Sequence, residues 1–281
     1  MNDTTRRNFL KTAGAAAAAS TVGVTPHAAA QPAAISRNMN RLTLGMASYT
    51  FRKFGLDETI AMTKRLGLTK IAFKSFHLAL DSTETQIKDV AAKVREAGLE
   101  LYGCGVVYMN NEAEVHQAFD YAKAAGMKII IGVPDHSLLA LVNKKVREYD
   151  MKLAIHNHGP GDERYPSPES AYEKVKDLDP RMGLCIDIGH TMRIGVDPSV
   201  SAEKYFNRLH DVHIKDVTAA TKEGSTLEIG RGVIDIPKFI RTLLRLKYSG
   251  TLALEYEKDA EDPLPGSAES IGYLRGVLSV I

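Results

Sequence analysis

Short apolar segments recur along the chain from residue 42 onward, and each is followed by a turn and an amphipathic stretch. The eight segments are Leu42–Ser48, Lys70–Ser75, Leu99–Val106, Met127–Val133, Met151–His156, Gly183–Asp187, Leu209–Lys215 and Thr251–Glu255. Strands that alternate with helices indicate βαβ units and a parallel sheet. Eight such units in about 240 residues are typical of a (β/α)8 TIM barrel, which keeps its active site at the carboxyl ends of the strands.

Glycines between helical patterns and apolar segments support this interpretation. Gly67, Gly98 and Gly126 each stand where a helix would end, a position that favours glycine. A doubly wound sheet is the main alternative. It would normally carry a glycine-rich phosphate turn after its first strand, where this chain has Ser48-Tyr49-Thr50-Phe51-Arg52. The predicted fold is therefore an α/β protein with a single barrel domain.

Small or polar residues alternate with bulky apolar ones in the last four segments. Side chains on a strand point alternately to its two faces. In the fifth segment His156 and His158 share a face with Ala154, opposite Leu153 and Ile155. The sixth, seventh and eighth segments are sorted in the same way. The bulky face is expected to meet the helices and the polar face to line the barrel, whereas a doubly wound sheet needs no polar face.

The polar faces of these four segments carry His156, Asp187, His213 and Glu255 near the carboxyl ends of their strands. Two imidazoles and two carboxylates make a site for a divalent transition metal. A single strand-end His or Asp is more often a hydrogen-bonded structural residue, since buried polar groups find partners. Burying Asp187 and Glu255 together without a cation, however, would be costly.

The N-terminal residues predict export. Thr5-Arg6-Arg7-Asn8-Phe9-Leu10-Lys11 resembles a twin-arginine motif, a small-residue apolar stretch follows, and Ala28-Ala29-Ala30-Gln31 resembles a cleavage site. We predict a signal peptide over residues 1–30, a linker over 31–41 and the barrel over 42–281. The mature protein is expected in the periplasm or otherwise outside the cytoplasm. The apolar stretch is too short to span a membrane, so no membrane partner is expected for the mature form.

Composition narrows the choice of partners. A net charge of +2 and 7% aromatic residues without tryptophan argue against a nucleic-acid partner. Cys104 and Cys185 lie in predicted strands far apart around the barrel, so no disulfide is expected. A small sugar is the expected partner, and a homo-oligomer is compatible with the sequence.

Four motifs give residues 42–281 a resemblance to the xylose isomerase-like barrel superfamily of sugar phosphate isomerases and epimerases. The motifs are Ile186-Asp187-Ile188-Gly189-His190, Val212-His213-Ile214-Lys215-Asp216, Glu228-Ile229-Gly230-Arg231-Gly232-Val233-Ile234-Asp235 and Leu252-Ala253-Leu254-Glu255-Tyr256-Glu257. The resemblance implies a metal held by Glu, Asp, His and Glu from strands five to eight. Asp187, His213 and Glu255 match three of these ligands, and His190 matches a residue that contacts substrate.

The fourth ligand position departs from this pattern. Relatives often have Glu-Asn-His at the end of strand five, where this chain has His156-Asn157-His158. His156 is the preferred ligand on strand parity, with His158 as the alternative. A less negative ligand set favours one divalent Mn, Zn, Co or Fe ion over Mg. The change also removes one of the two glutamates that related epimerases use as an acid/base pair.

Other residues near the strand ends complete the predicted site. The expected catalytic residues are Glu255, His158, Lys74 and Glu257, and the expected substrate-binding residues are His190, Lys215, His77, Tyr108 and Arg231. Most have a plainer explanation as well: a strand-end lysine is often a solvated rim residue. Tyr108 would then only close the rim, and Glu257 would be an ion-pair partner.

The expected function is that of a divalent-metal-dependent isomerase or epimerase acting on a small sugar or keto-sugar. A proton would move through an enediolate stabilised by the metal. Two alternatives stay open: a metal-dependent lyase or dehydratase on a keto-sugar or keto-glycoside, and a non-catalytic periplasmic sugar-binding protein. Phosphodiester hydrolysis, known from an endonuclease branch of the superfamily, is disfavoured because the net charge offers little attraction to DNA.

Overall fold

Eight parallel strands close into a barrel in the computed structural model, which describes residues 42–281. The barrel strands are β1 Thr43–Ala47, β2 Lys70–Phe73, β3 Glu100–Met109, β4 Ile129–Pro134, β5 Lys152–His156, β6 Met182–Asp187, β7 Leu209–Ile214 and β10 Thr251–Leu254; β8 Asp216–Val217 and β9 Thr226–Leu227 lie outside the barrel sheet. The closing pair is β1 with β10, in parallel register from Thr43 opposite Thr251 to Met46 opposite Leu254. The predicted TIM barrel is confirmed, with all eight predicted segments in its wall.

Helices connect successive strands on the outside of the barrel. They are α1 Leu56–Arg65, α2 Glu84–Glu96, α3 Glu112–Ala124, α4 Leu139–Glu148, α5 Pro168–Val175, α6 Ile188–Arg193, α7 Pro198–Lys204, α8 Ile236–Arg245 and α9 Leu264–Val280. Side chains satisfy free backbone N–H groups at several helix starts: Thr83 accepts from Gln86 N, and Asn111 accepts from Glu114 N. Positive φ angles at Gly67 and Gly98 follow α1 and α2, as the helix-stop interpretation predicted.

The two faces of the strands form two separate apolar clusters. The larger cluster packs strands against helices and includes Leu153, Ile155 and Ile186. The smaller one fills the barrel interior and includes Ala154, Cys185 and Ala253. The alternation in the sequence therefore separates outward from inward residues correctly, which fixes the side chains that can reach the barrel mouth.

Two short elements were not predicted. Helix α6 begins directly after β6, because the Asp187 side chain accepts a hydrogen bond from His190 N at 2.8 Å and caps the helix. Strands β8 Asp216–Val217 and β9 Thr226–Leu227 form an antiparallel hairpin beyond β7. Asp216 organises this region by accepting hydrogen bonds from the backbone N–H groups of Gly230, Gly232 and Ile234.

The predicted signal peptide and linker lie outside the described residues. Within residues 42–281, no helix is long and apolar enough to cross a membrane. Cys104 and Cys185 are both buried and free, as expected from their places on different strands.

Candidate active site

Four buried side chains converge at the carboxyl ends of β5, β6, β7 and β10. They are His156, Asp187, His213 and Glu255, and one donor atom from each lies within 4.8 Å of the others. His156 Nε2 lies 3.0 Å from His213 Nδ1 and 3.4 Å from Asp187 Oδ2. His213 Nδ1 lies 3.1 Å from Glu255 Oε2. We call this group the donor cluster.

Burial and mutual attraction set the charges in the donor cluster. Burial lowers the pKa of His156 to about 3, although the neighbouring Asp187 opposes the shift, so this imidazole is neutral. Burial by itself would raise the pKa of Asp187 and of Glu255. The ammonium of Lys215, with the nearby imidazoles, more than reverses this and lowers the pKa of both carboxyls. Both carboxylates therefore carry their negative charge.

Lys215 lies among the carboxylates of this site. Its Nζ is 2.7 Å from Glu255 Oε2 and 2.9 Å from Asp187 Oδ2, and it also bonds to Glu257. Only 2% of its side chain is exposed. Burial would lower the pKa of Lys215, but the three carboxylates raise it instead, so the group is an ammonium ion. Lys215 was expected to bind substrate, and the structure buries its ammonium beside the donor cluster.

The residues around Asp187 hold its backbone and side chain in place. Asn157 accepts a hydrogen bond from Asp187 N at 3.1 Å and donates to Thr191 Oγ1 at 3.2 Å. Asp187 Oδ1 is used as the cap of α6, which leaves Oδ2 to face the donor cluster. Residues 187–191 are therefore a strand end and a helix start that together fix one carboxylate oxygen toward the barrel axis.

A cavity of about 260 Å³ opens above the donor cluster. Its lining residues are Tyr49, Lys74, Val106, Tyr108, His156, His158, His190, Glu255 and Glu257. Seven of these nine were predicted as site residues from the sequence. Their polar groups converge in one small cavity at the barrel mouth, an arrangement typical of a small-molecule site.

One wall of the cavity is formed by His158, Tyr108 and His190. Tyr108 is 46% exposed, its ring stacks on that of His158, and its hydroxyl lies 3.2 Å from His158 Nε2. Burial lowers the pKa of His158 and of His190, so both imidazoles favour the neutral form. His158 is not part of the donor cluster, which separates the two histidines that the sequence left as alternatives.

Lys74 follows β2 directly, and its Nζ lies 5.8 Å from the centroid of the Tyr108 ring. Its Nζ donates to the carbonyl oxygen of Val106 at 2.5 Å. Burial lowers the pKa of Lys74, and attraction to Glu255 opposes this shift only in part. Lys74 thus presents an amine from which a proton is removed more easily than from an ordinary lysine.

Two predicted substrate-binding residues lie elsewhere. His77 is buried, and its ring nitrogens lie 2.8 Å from Ser48 Oγ and 2.9 Å from Thr59 Oγ1. Arg231 forms an ion pair with Glu269, and 59% of its side chain is exposed. Neither lines the cavity, because local partners hold both side chains in other directions, so the structure does not support substrate contacts for them.

Three residues of the site were missed in the sequence. Tyr49 and Val106 line the cavity, and Asn157 supports Asp187. Tyr49 lies two residues after the end of β1, so its place near a strand's carboxyl end was a usable signal. Asn157 lies between two predicted site histidines, where a buried amide has strand and helix backbone within reach. Val106 carries no chemical signal in the sequence.

The donor cluster has the atoms that a divalent metal ion needs. Asp187 Oδ2 is buried and lacks a well-aligned hydrogen-bond partner, although Lys215 Nζ lies 2.9 Å away. Nitrogen and carboxylate donors in a group of four suit Zn²⁺ and related transition metals. One feature is unusual for such a site: His156 Nδ1 has no hydrogen-bond partner within residues 42–281, whereas ligand histidines normally donate through their second nitrogen.

Comparison with known proteins agrees with this fold. The sequence model of the xylose isomerase-like TIM barrel family matches residues 55–277 of this chain. The chain belongs to this family. A twin-arginine translocation signal model matches residues 3–23, which indicates export by the twin-arginine route.

Two curated proteins are similar to part of the chain. An inosose dehydratase from Clostridium tetani is 30% identical over 135 residues, which are 42% of this chain and 44% of that protein. The rhizopine catabolism protein MocC from Rhizobium meliloti is 27% identical over 145 residues, which are 46% of this chain and 44% of that protein. The matched segment thus spans less than half the length of these relatives.

Solved structures share the barrel over most of its length. IOLI protein with a bound zinc atom has a TM-score of 0.71 at 16% identity, covering 85% of this chain and 98% of that one. A D-tagatose 3-epimerase-like protein has a TM-score of 0.69 at 18% identity, covering 85% and 98%. A probable 3-DHS dehydratase from Bacillus anthracis has a TM-score of 0.67 at 13% identity, covering 83% and 98%. At these identities the likeness establishes the fold.

Proposed function

We propose that this protein is an exported, divalent-metal-dependent lyase or dehydratase acting on a keto-sugar or a related cyclic polyol ketone. His156, Asp187, His213 and Glu255 would hold the metal. The observation that carries the proposal is that two unlike side chains line the cavity above them: the neutral imidazole of His158, after β5, and the amine of Lys74, after β2. Elimination removes a proton at one carbon and a leaving group at another, so it suits a site with a base and an acid of different chemical types.

A bound divalent ion would supply Lewis-acid polarisation of a substrate carbonyl. His158 would accept the proton from the carbon next to that carbonyl, with the Tyr108 hydroxyl holding its ring. Lys74 would protonate the departing oxygen of the β-substituent. The C–H and C–O bonds break, a C=C bond conjugated with the carbonyl forms, and water or an alcohol leaves. Glu257 and His190 would hydrogen-bond the remaining hydroxyl groups at the cavity wall.

The chemistry of the relatives is consistent with this assignment. Several of the curated relatives are inosose dehydratases, and their substrate is a cyclic polyol ketone. The twin-arginine signal at residues 3–23 fits a protein that folds before crossing into the periplasm, which we propose as its location.

The experiment is a panel of keto-sugars and inososes incubated in heavy water with the protein and Mn²⁺, Co²⁺ or Zn²⁺, followed by mass spectrometry. A lyase or dehydratase gives a product lighter by one water or one alcohol. His158→Gln, which keeps a polar side chain but removes the base, should reduce turnover by about 100-fold or more. No loss of mass and no deuterium uptake across the panel, with metal bound, would identify a sugar-binding protein instead.

Isomerase or epimerase activity is the second candidate. Glu255 and Glu257 follow β10, and both carboxylates line the same cavity as His158 and His190. A carboxylate and an imidazole in one cavity are a pair that would remove a proton from carbon and return it. This activity would incorporate deuterium at carbon without any loss of water or alcohol, which the same panel detects.

A further inference from the structure

Lys215 occupies an unusual position for a side chain beside a metal site. Its ammonium contacts Asp187 Oδ2 and Glu255 Oε2, the two carboxylate oxygens that also face the imidazole nitrogens of His156 and His213. The atoms that would bind a metal ion are therefore the atoms that bind this lysine. The Lys215 ammonium and a divalent metal ion would each neutralise the same two carboxylates.

The fold is built to bring Lys215 to this position. Its aliphatic stem runs over Gly189 in the first turn of α6. A Cβ atom added at Gly189 would lie only 2.5 Å from Lys215 Cγ and 2.7 Å from Cδ. Any larger residue at position 189 would displace the stem. The missing side chain of Gly189 thus leaves the space through which the Lys215 side chain reaches the carboxylates.

Electrostatics makes this lysine a counter-ion of the site. Asp187 and Glu255 are buried, and two carboxylates without a cation would be strongly destabilised there. Lys215 also bonds Glu257, which lies at the cavity wall and is one-third exposed. The ammonium therefore has two inner partners and one outer partner, within reach of a single flexible side chain.

We propose that Lys215 competes with the divalent metal for Asp187 and Glu255, and that metal binding shifts its ammonium outward onto Glu257. This inference rests on the metal site proposed above. A divalent ion bound by these two oxygens would repel an ammonium held on the same atoms. Without metal, the lysine keeps the carboxylates paired; with metal, it becomes a positive group at the wall of the substrate cavity.

The test measures metal affinity directly by titration calorimetry of the intact chain with Mn²⁺ and with Zn²⁺. Lys215→Met removes the competing charge and keeps a stem of similar length. Its dissociation constant for each ion should fall about tenfold or more below that of the wild type. Lys215→Arg keeps the charge and should bind metal no more tightly than the wild type.

Lys74→Met is the matched control. Lys74 is also a partly buried lysine of the site, but its ammonium bonds a backbone carbonyl rather than the two carboxylates. Its loss should change the metal dissociation constant by no more than about threefold, since only a more distant charge is removed. A similar gain in Lys74→Met and Lys215→Met would show a general charge effect and would contradict direct competition.

Glu257→Gln tests the outward shift. It should weaken metal binding more in the wild type than in the Lys215→Met background, because only the wild type needs Glu257 to receive the displaced ammonium. The difference between the two backgrounds is the coupling between positions 215 and 257. Equal effects in both backgrounds would overturn the shift.

The outcomes also separate this inference from the metal site itself. Wild-type binding that depends on Asp187, together with no gain in Lys215→Met, overturns the competition and leaves the site standing. Binding only in Lys215→Met supports competition in its strongest form. Absence of binding in both overturns both proposals. If Lys215→Met fails to fold without metal, Lys215→Gln, which keeps a hydrogen-bond donor, is titrated in its place with the same expectation.

Discussion

Two adjacent layers of side chains inside the barrel shift the pKa of a buried carboxyl group in opposite directions. Strands β6 and β7 contribute to both layers: Asp187 pairs with His213 above, and Cys185 pairs with Asp211 below. Asp187 and Asp211 are equally buried. In the upper layer the cation Lys215 lowers the pKa of Asp187. In the lower layer burial raises the pKa of Asp211 to about 7.

The difference shows that burial alone does not decide the charge of a carboxyl group. Asp211 has the hydroxyl of Tyr102 at 3.3 Å and the thiol of Cys185 at 3.8 Å, and both are neutral donors. Asp187 has an ammonium and two imidazoles nearby. The upper layer therefore contains a buried ammonium that keeps its carboxylate charged, whereas in the lower layer the attraction between His213 and Asp211 offsets the effect of burial only in part.

The largest expected effect comes from removing the cation of the upper layer. Lys215→Met should lower the free energy of unfolding of the metal-free protein by about 3–5 kcal/mol, because it leaves buried carboxylates unpaired. Urea unfolding in the presence of a chelator measures the change. A loss of less than about 1 kcal/mol would mean that the carboxylates are protonated without Lys215, and the contrast between the layers would disappear.

The next largest effect is on metal binding. Asp187→Asn keeps the oxygen that caps α6 but loses the negative charge, so metal affinity should fall by more than about 100-fold, beyond the range for residues that only support a ligand. Metal content after dialysis, measured by elemental analysis, checks this. His213→Ala should give a loss of the same order. Unchanged metal content in both variants would exclude the donor cluster as the metal site.

A smaller effect is expected in the lower layer. Asp211→Asn should change the free energy of unfolding by less than about 1 kcal/mol near neutral pH, since the amide keeps an acceptor for Tyr102. Denaturant unfolding of this variant beside Asp187→Asn makes the comparison direct. A destabilisation of about 3 kcal/mol or more would show that Asp211 carries a needed negative charge and that the two layers are alike.

The smallest effect separates two possible ligand groups. Cys185 lies close enough to His156 and His213 to form a second group of three donors. Burial, with the nearby Asp211, raises the pKa of Cys185, which disfavours the thiolate that a metal needs. Cys185→Ser should therefore leave the dissociation constants for Mn²⁺ and Zn²⁺ within about threefold of the wild type. A loss of Zn²⁺ binding alone would assign the metal to the lower layer.

Much of the barrel was predictable because strand parity is a local property. Alternation of His156 with Ile155, and of Asp187 with Ile186, separates the two faces without knowledge of any partner strand. The capped start of α6 was less visible, since a helix of six residues has too few positions to show a period.

Long-range distances were not predictable from these patterns. The sequence placed Lys215 on the same face as His213, but its burial depends on the separation of β6, β7 and β10. It also depends on the free space over Gly189. His77 was expected at the rim for its position after β2, yet its nitrogens bond Ser48 and Thr59, which belong to another part of the chain.

The sequence by itself determined the barrel, its inward faces and three of the four donor residues, with His156 and His158 as alternatives for the fourth, because these features follow from periodicity and from position along a strand. Only the tertiary structure decided which cation those donors hold in the folded chain. That choice depends on the Lys215 ammonium lying 2.9 Å from Asp187 Oδ2 and 2.7 Å from Glu255 Oε2, distances that no local pattern encodes. Lys215, which the sequence presented as a substrate-binding residue, is for this reason the residue whose role the fold changed most.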